Sequence, residues 1–408
     1  MEDNKFEEIR PYTDDEISAA MDRIAGSTSF PLLASYVFPD RNIDDVRNEV
    51  RSYKTIHDFQ MGIMYWANRK IIKDSTASFT CGGMENIDPS TPNTHHPSPN
   101  AYLYVSNHRD IMLDAALFQN VLVDNGHDTT EITFGANLMQ GQIVIDIGKS
   151  NKMFKVARPG GSVREFYKSS LLLSEYMRHV ITEKHHSVWI AQRNGRTKDG
   201  KDRTDQGIIK MLCMSHSDDK VRAIADLNIV PVSVSYEWES CDILKTVELY
   251  ERQFGPYIKK PGEDLNSIIT GITQYKGNVH FEVCKPLGFD ELNEFSDLTS
   301  VDFHKAVANL LDQRICSSYH LYPNNYIAHD ILYGNKKYAD MYSSEEKEAF
   351  IHRMNKLLKY EEECDMDKLC EIFLGIYANP VDSKRKATPN PGPSPVNGEG
   401  RETAWGEG

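Results

Sequence analysis

Residues 101–123 read AYLYVSNHRDIMLDAALFQNVLV, a short aromatic and β-branched run that passes through a polar turn into a helical pattern. The run at 102–105 predicts a strand, and the spacing over 111–123 predicts a helix. Strand followed at once by helix is half of a β-α-β unit, and the alternation continues downstream. Further strands are expected at 131–134, 153–156, 187–191, 229–235 and 279–283, with helices at 163–182 and 205–214 between them. The fold class is therefore α/β, with a mainly parallel central sheet flanked by helices. In such sheets the working groups gather at the carboxyl ends of the strands.

Both sides of this region read differently. The first 75 residues are helical in pattern, opened by the capping box Thr13-x-x-Glu16 ahead of Ile17, Met21 and Ile24. Over 43–72 the residues Ile56, Phe59, Ile63 and Trp66 are spaced for one apolar stripe. Residues 84–100, MENIDPSTPNTHHPSPN, carry no periodicity and read as a linker or long loop, so His95 and His96 are surface residues there and no metal site is expected. After residue 300 the pattern is helical again. Ser343-x-x-Glu346 caps one segment and a second helix is expected over 366–377. From Val381 onward Pro, Gly, Ser and Asn dominate, which predicts a disordered tail whose Lys384-Arg385-Lys386 triplet is solvated. The expected organisation is a helical module over 1–83, an α/β domain over 84–300, a C-terminal helical segment over 301–380 and a tail over 381–408.

Composition narrows the function classes. The 408 residues hold 46 Lys plus Arg against 60 Asp plus Glu, a formal charge of −14. A nucleic-acid binder with a broad basic face is not expected. Seven scattered cysteines without a Cys-x-x-Cys pair read as reduced, mostly core thiols. The acidic, polar start MEDNKFEEIR does not resemble a secretory signal, which predicts a cytoplasmic protein. Its longest apolar runs, GIMYWA at 62–67 and LNIVPV at 227–232, are far shorter than the about 20 residues that span a bilayer, so any membrane contact is expected at the surface.

Several motifs fail. IDIGKS at 145–150 is not a phosphate loop, because the first glycine would fall at Ile143. Neither Gly-x-Ser-x-Gly nor Gly-x-Gly-x-x-Gly occurs. What remains is SNHRDIMLD at 106–114. A neutral imidazole can take a proton from a hydroxyl, and a carboxylate on its other nitrogen fixes the tautomer and stabilises the imidazolium. His108 supplies the base and Asp114 the partner; Asp110 stands closer and could serve instead, or cap the following helix. Six positions along one regular helix turn two side chains about 120° apart, so His108 and Asp114 meet only if the chain turns between them. Two basic clusters lie downstream. Residues 149–168 carry Lys149, Lys152, Lys155, Arg158, Arg164 and Lys168 against Glu165, and 192–210 read QRNGRTKDGKDRTDQGIIK. In an acidic chain these look like sites for an anionic substrate, since glycine permits close backbone approach and the arginine fork suits phosphate.

In this order, NHRDIMLD at 107–114, FKVAR at 154–158, IAQRNGRTKDG at 190–200 and IVPVSVSYE at 229–237 resemble the glycerolphosphate and lysophosphatidate (1-acylglycerol 3-phosphate) acyltransferase superfamily. The likeness covers residues 101 to about 290. It implies an acyltransferase of phospholipid biosynthesis, with no cofactor and no metal beyond an acyl thioester co-substrate on coenzyme A or acyl carrier protein. Catalytic roles fall to His108 as general base and Asp114 as its orienting partner. Arg158, Gly195 and Arg196 would hold the acceptor phosphate, and Pro231 would shape a strand near the site. The sequence departs from the family pattern in having five residues between His and Asp instead of four. It also reads Asn194-Gly195-Arg196 where the family has Glu-Gly-x-Arg, which leaves Arg193, Arg196 and Lys198 as rival phosphate ligands. The implied partners are the acyl donor, an anionic acceptor lipid and the cytoplasmic membrane face, with peripheral attachment through an exposed apolar surface.

Three other readings stand beside it. The acceptor could be the hydroxyl of an acyl-amino-acid lipid of the ornithine or glycine type, whose carboxylate would use the same basic loop. The chain could be an inactive acyltransferase core serving as a lipid-binding adaptor. Asn-His-Arg-Asp is also similar to a metallophosphatase ligand stretch, but that chemistry needs an earlier Asp-x-His and a later Gly-His-x-His, and neither is present.

Overall fold

The computed structural model describes residues 5–87, 101–139, 141–157, 162–360 and 362–388. Seven strands, β1 (Thr76–Gly82), β2 (Leu103–Ser106), β3 (Glu131–Gly135), β4 (Met153–Val156), β5 (Val188–Ala191), β6 (Ile229–Tyr236) and β7 (Gly277–Val283), form one sheet. Their order is β1-β7-β6-β2-β5-β3-β4. From β6 to β4 every pairing is parallel, β7 runs antiparallel to β6, and β1 pairs parallel with β7. All positions of β2 and β6 are buried, as parallel strands covered on both faces require. The α/β architecture with a mostly parallel sheet is as expected. β1 was not: TASFTCG offers only Phe79 and Cys81 as larger apolar side chains, and it lies half exposed at the sheet edge. The expected boundary at 83 therefore cuts through the sheet.

The helices before β1 are α1 (Asp14–Gly26), α2 (Phe30–Val37), α3 (Ile43–Ser52), α4 (Ile56–Phe59) and α5 (Tyr65–Ser75). Both halves of the Thr13/Glu16 capping box are present. Ile17, Met21 and Ile24 pack with Val46, Val50 and Phe59 in a cluster of their own. Between α4 and α5 the turn Gln60–Met64 is a π-helix. Its wider turn shifts the phase of α5, so Phe59 is buried while Trp66, expected on the same stripe, is 52% exposed.

Between the strands lie α6 (Leu113–Asp124), α7 (Gln142–Ser150), α8 (Val163–Thr182), α9 (Gln206–Cys213), α10 (Lys220–Ala225), α11 (Asp242–Glu251) and α12 (Glu263–Thr273). After β7 come α13 (Phe289–Asn293), α14 (Ser300–Ser318), α15 (Pro323–Leu332), α16 (Ser344–Met354) and α17 (Met366–Ala387). Alternation along the strands sorts the core. Leu103 and Val105 face α8, α9 and α14, whereas Tyr102 and Tyr104 face α6. The buried carboxylate of Asp146 on α7 accepts from Tyr12 Oη (2.8 Å) and from Arg23 Nε (2.9 Å) and Nη2 (2.7 Å), which ties the N-terminal helices to the sheet domain. All seven thiols are unpaired, and four of them are buried.

Two sequence expectations at the segment ends change. Met84–Ile87 is a 3-10 turn with Ile87 buried, so only 88–100 of the expected linker, including His95 and His96, lie outside the described residues. The last helix runs to Ala387 instead of ending near Tyr377, and Val381 is one of its buried residues. The expected tail therefore starts no earlier than Thr388, and 389–408 lie outside the described residues. Pro380 sits inside α17, where its missing N–H leaves the Ile376 carbonyl without its helical donor. Gly200 packs on that carbonyl so closely that a Cβ would stand 2.1 Å from it. Asn379 Nδ2 donates to Asp199 O (2.7 Å) beside it. The proline thus marks a docking point for the loop after β5 and not the end of the helix.

Candidate active site

β2, β5 and β6 are parallel neighbours, so Ser106, Ala191 and Tyr236 end at one edge of the sheet. The chain leaving β2 is held by Asn107, which is fully buried and bonds β6 through its side-chain amide: Nδ2 donates to Val234 O (3.0 Å) and Val234 N donates to Oδ1 (2.7 Å). The next residue is His108. Its Nδ1 lies 3.0 Å from Asp114 Oδ2, and the same oxygen accepts from the backbone N–H of Arg109 (2.6 Å) and Asp110 (2.9 Å). The required turn is thus built by Asp114 itself, which draws residues 108–110 around its carboxylate. Asp114 lies in the first turn of α6, where a negative charge is favoured.

Asp110 has the other role. Its Oδ1 accepts from Met112 N and Leu113 N, both at 2.9 Å, ahead of α6, and its Oδ2 accepts from Ser240 Oγ. Since Nδ1 faces a carboxylate, the neutral imidazole is assigned a proton there, leaving Nε2 as the basic nitrogen. Nε2 has no hydrogen-bond partner among the described residues, and the His108 side chain is 14% exposed. Asp114 is fully buried, and its Oδ1 accepts from Tyr236 Oη at 2.9 Å. Burial, then the Asp114 charge, pushes the Tyr236 hydroxyl well above its ordinary range, so it remains a donor. Tyr236→Phe is expected to lower the unfolding free energy by about 1–3 kcal/mol, because it leaves a buried carboxylate oxygen without its donor. A urea titration with an unchanged slope checks this; equal midpoints for parent and variant would contradict it.

A charge-balanced group stands behind the turn. Arg109, 1% exposed, bonds Asp202 through Nη2 (2.6 Å) and Nε (3.2 Å) and Glu239 through Nη1 (3.1 Å), and lies over the Tyr319 ring. Buried Lys245 donates to Glu239 Oε1 (2.5 Å) and to the Arg109 carbonyl (2.7 Å). Arg109 is thus fixed by its N–H, carbonyl and side chain, which leaves the adjacent imidazole little freedom.

The glycine-arginine loop reaches the same place. Gln192 N donates to Ser106 O (2.8 Å) and Thr197 N to His108 O (2.6 Å). Gly195 adopts φ +74°, which a side chain would strain, although the space around it is open. Arg196 Nη2 donates to Ser267 Oγ on α12 (3.3 Å), and its Nη1 is buried with no hydrogen-bond partner among the described residues. A buried guanidinium nitrogen without an acceptor suits an anionic ligand.

Among the described residues, Lys198 and the lysines of the first basic cluster do not join this site. Lys198 turns away and pairs with Glu248 of α11, so it is not a free phosphate ligand; burial pushes its pKa down to about 8. Arg193 is half-buried without an ion-pair partner among the described residues. Arg158 lies outside the described residues. The rest of the first basic cluster disperses. Lys152 precedes β4 at the opposite edge of the sheet and donates to Thr129, Lys149 lies over Tyr12, and Arg164 and Lys168 are exposed on α8. Pro231 is buried inside β6 opposite Val105, and its carbonyl accepts from Cys284 N (2.9 Å). Among the described residues no group of three or more His, Cys, Asp or Glu could hold a metal ion, and no helix is long and apolar enough to cross a membrane.

No protein-family model matches this chain, and no curated protein matches it.

Proposed function

We propose that the protein is an acyltransferase, moving a fatty acyl group from a thioester to the hydroxyl of glycerol 3-phosphate or 1-acylglycerol 3-phosphate in phospholipid synthesis. One observation carries the reading: His108 and Asp114 face each other at the carboxyl edge of the sheet, with the Arg196 loop hydrogen-bonded to the His108 carbonyl. The motif resemblance supports it.

In this reading Nε2 of His108 takes the acceptor's hydroxyl proton as that oxygen attacks the thioester carbonyl. The tetrahedral adduct then collapses, the C–S bond breaks, and the leaving thiolate takes the proton back from the imidazolium. Asp114 holds the ring and offsets its positive charge during the step. No acyl-enzyme forms, so no serine or cysteine nucleophile is required. Asp110 serves as the helix cap and not as the partner of the base. Arg196 binds the acceptor's phosphate, with Arg193 and Arg158 as further ligands, and positions the hydroxyl against the thioester. The protein works at the cytoplasmic membrane surface, where acceptor lipids reside, and acyl-coenzyme A or acyl carrier protein supplies the acyl group.

Arg196→Ala is expected to raise KM for the phosphorylated acceptor about 10- to 100-fold, the loss of one charge-assisted contact, while kcat falls less. Steady-state kinetics at fixed donor measure this. Unchanged acceptor KM would remove the phosphate-site assignment. Running the same assay with hydroxylated acyl-amino-acid lipids separates the two acceptor classes.

A further inference from the structure

The segment Arg252–Pro261, RQFGPYIKKP, holds three bases and no acid in a chain of net charge −14. Phe254 and Ile258 within it are 76% and 84% exposed. It leads into α12, which inverts the usual amphipathic arrangement by exposing Leu265 and Ile269, one turn apart, to solvent. The inner face of α12 is committed to the candidate site. Ser267 accepts from Arg196, the Ser267 carbonyl accepts from Cys241 Sγ (3.3 Å), and Gly271 packs on Asp110 so tightly that a Cβ would stand 2.3 Å from Oδ2. One helix therefore carries the wall of the site on one side and bare hydrocarbon on the other.

We infer that Phe254, Ile258, Leu265 and Ile269, with Lys259 and Lys260, form the surface that docks on an anionic lipid bilayer and sets the candidate site beside the lipid. The pairing of its bases favours a bilayer over an acidic protein. Arg252 and Lys259 are already paired with Glu248 and Asp264, which leaves Lys260 as the base of this segment with no ion-pair partner among the described residues. Recognition thus rests mainly on four large apolar side chains that protrude, with charge as a supplement. Insertion of such side chains removes apolar surface from water, and stable attachment combines an apolar with a basic signal. The link from this surface to a lipid hydroxyl rests on the acyl-transfer reading; docking itself does not.

The test is co-sedimentation of the full chain with vesicles of phosphatidylcholine alone and of phosphatidylglycerol mixed with phosphatidylethanolamine. The parent is expected to bind the anionic vesicles more strongly, and Phe254→Ser/Ile258→Ser, both exposed positions between α11 and α12, to bind at least about tenfold more weakly. Lys260→Glu is expected to weaken binding several-fold on anionic vesicles only. Circular dichroism matching the parent shows that the variants fold; Leu265→Ser/Ile269→Ser provides an independent pair on α12. A parent that stays in the supernatant with both vesicle types overturns the inference. So does a double variant that sediments like the parent, or a parent dimer that the double variant converts to monomer. Displacement from vesicles by an acidic carrier protein would reassign the surface to protein binding. Turnover with a short-chain, water-soluble donor and acceptor should be equal in parent and variants. If the parent shows no such turnover but the vesicle results hold, acyl transfer falls and the docking surface stands.

Discussion

His108→Ala is expected to reduce kcat for acyl transfer about 10²- to 10⁴-fold, the range a positioned general base supplies. The structure makes this a selective change. Beyond the bond to Asp114, the ring makes no other side-chain hydrogen bond among the described residues, and it stands roughly perpendicular to the Trp189 ring at a centroid distance of 6.2 Å. The groups that build the turn, namely the N–H groups of Arg109 and Asp110 on Asp114 and the Arg109 side chain among Asp202 and Glu239, do not involve the imidazole. Acceptor KM should therefore change little, and the unfolding midpoint should remain near that of the parent. A variant that keeps more than a tenth of parental kcat would show that His108 is not the base.

Asp114→Asn is expected to cost a similar factor in kcat, for a different reason. The carboxylate accepts from His108 Nδ1, two backbone N–H groups and Tyr236 Oη. Asparagine is nearly isosteric and has one oxygen, which can keep the N–H groups of Arg109 and Asp110, but it brings no charge to offset the imidazolium. Catalysis should thus fall steeply while the fold loses only about 1–3 kcal/mol. Asp114→Ala removes every acceptor at once and orphans two buried N–H groups, so its expected defect is in stability as well as rate. Urea titration beside kinetics separates the two variants. An Asn variant with near-parental kcat would show that the carboxylate serves the turn alone. Asp110→Asn should be mild in rate, because that side chain caps α6 and meets Ser240.

What could be read from the sequence depended on the range of the interactions. β4 and α8 fall where the pattern predicts them to the residue, because local periodicity and the turns around them determine both. The pairing of His108 with Asp114 was legible only in part: a turn between β2 and α6 could bring either Asp110 or Asp114 to the imidazole, and the hydrogen bonds of the two carboxylates decide for Asp114. Contacts across the chain were not legible. Tyr236 reaches Asp114 over 122 residues, and Glu248 claims Lys198 over 50, so neither the second donor to the carboxylate nor the loss of one phosphate candidate had a local signal. Arg109 carried no local signal of its burial, which depends on Asp202 and on Glu239 and Lys245, 93 to 136 residues away in sequence. Trp66 was misplaced because a π-turn has no simple periodic signature, and α17 was cut short because Pro380 looks like an end when it serves as a docking point.

The most direct measurement is free thiol release by the purified full chain, given acyl-coenzyme A or acyl carrier protein thioesters, with and without glycerol 3-phosphate or lysophosphatidate. Release is expected to require the acceptor, to yield one acylated product per thiol, and to disappear in His108→Ala. Release that ignores the acceptor or survives the loss of His108, or no release with any of these donor and acceptor pairs, would contradict acyl transfer from His108.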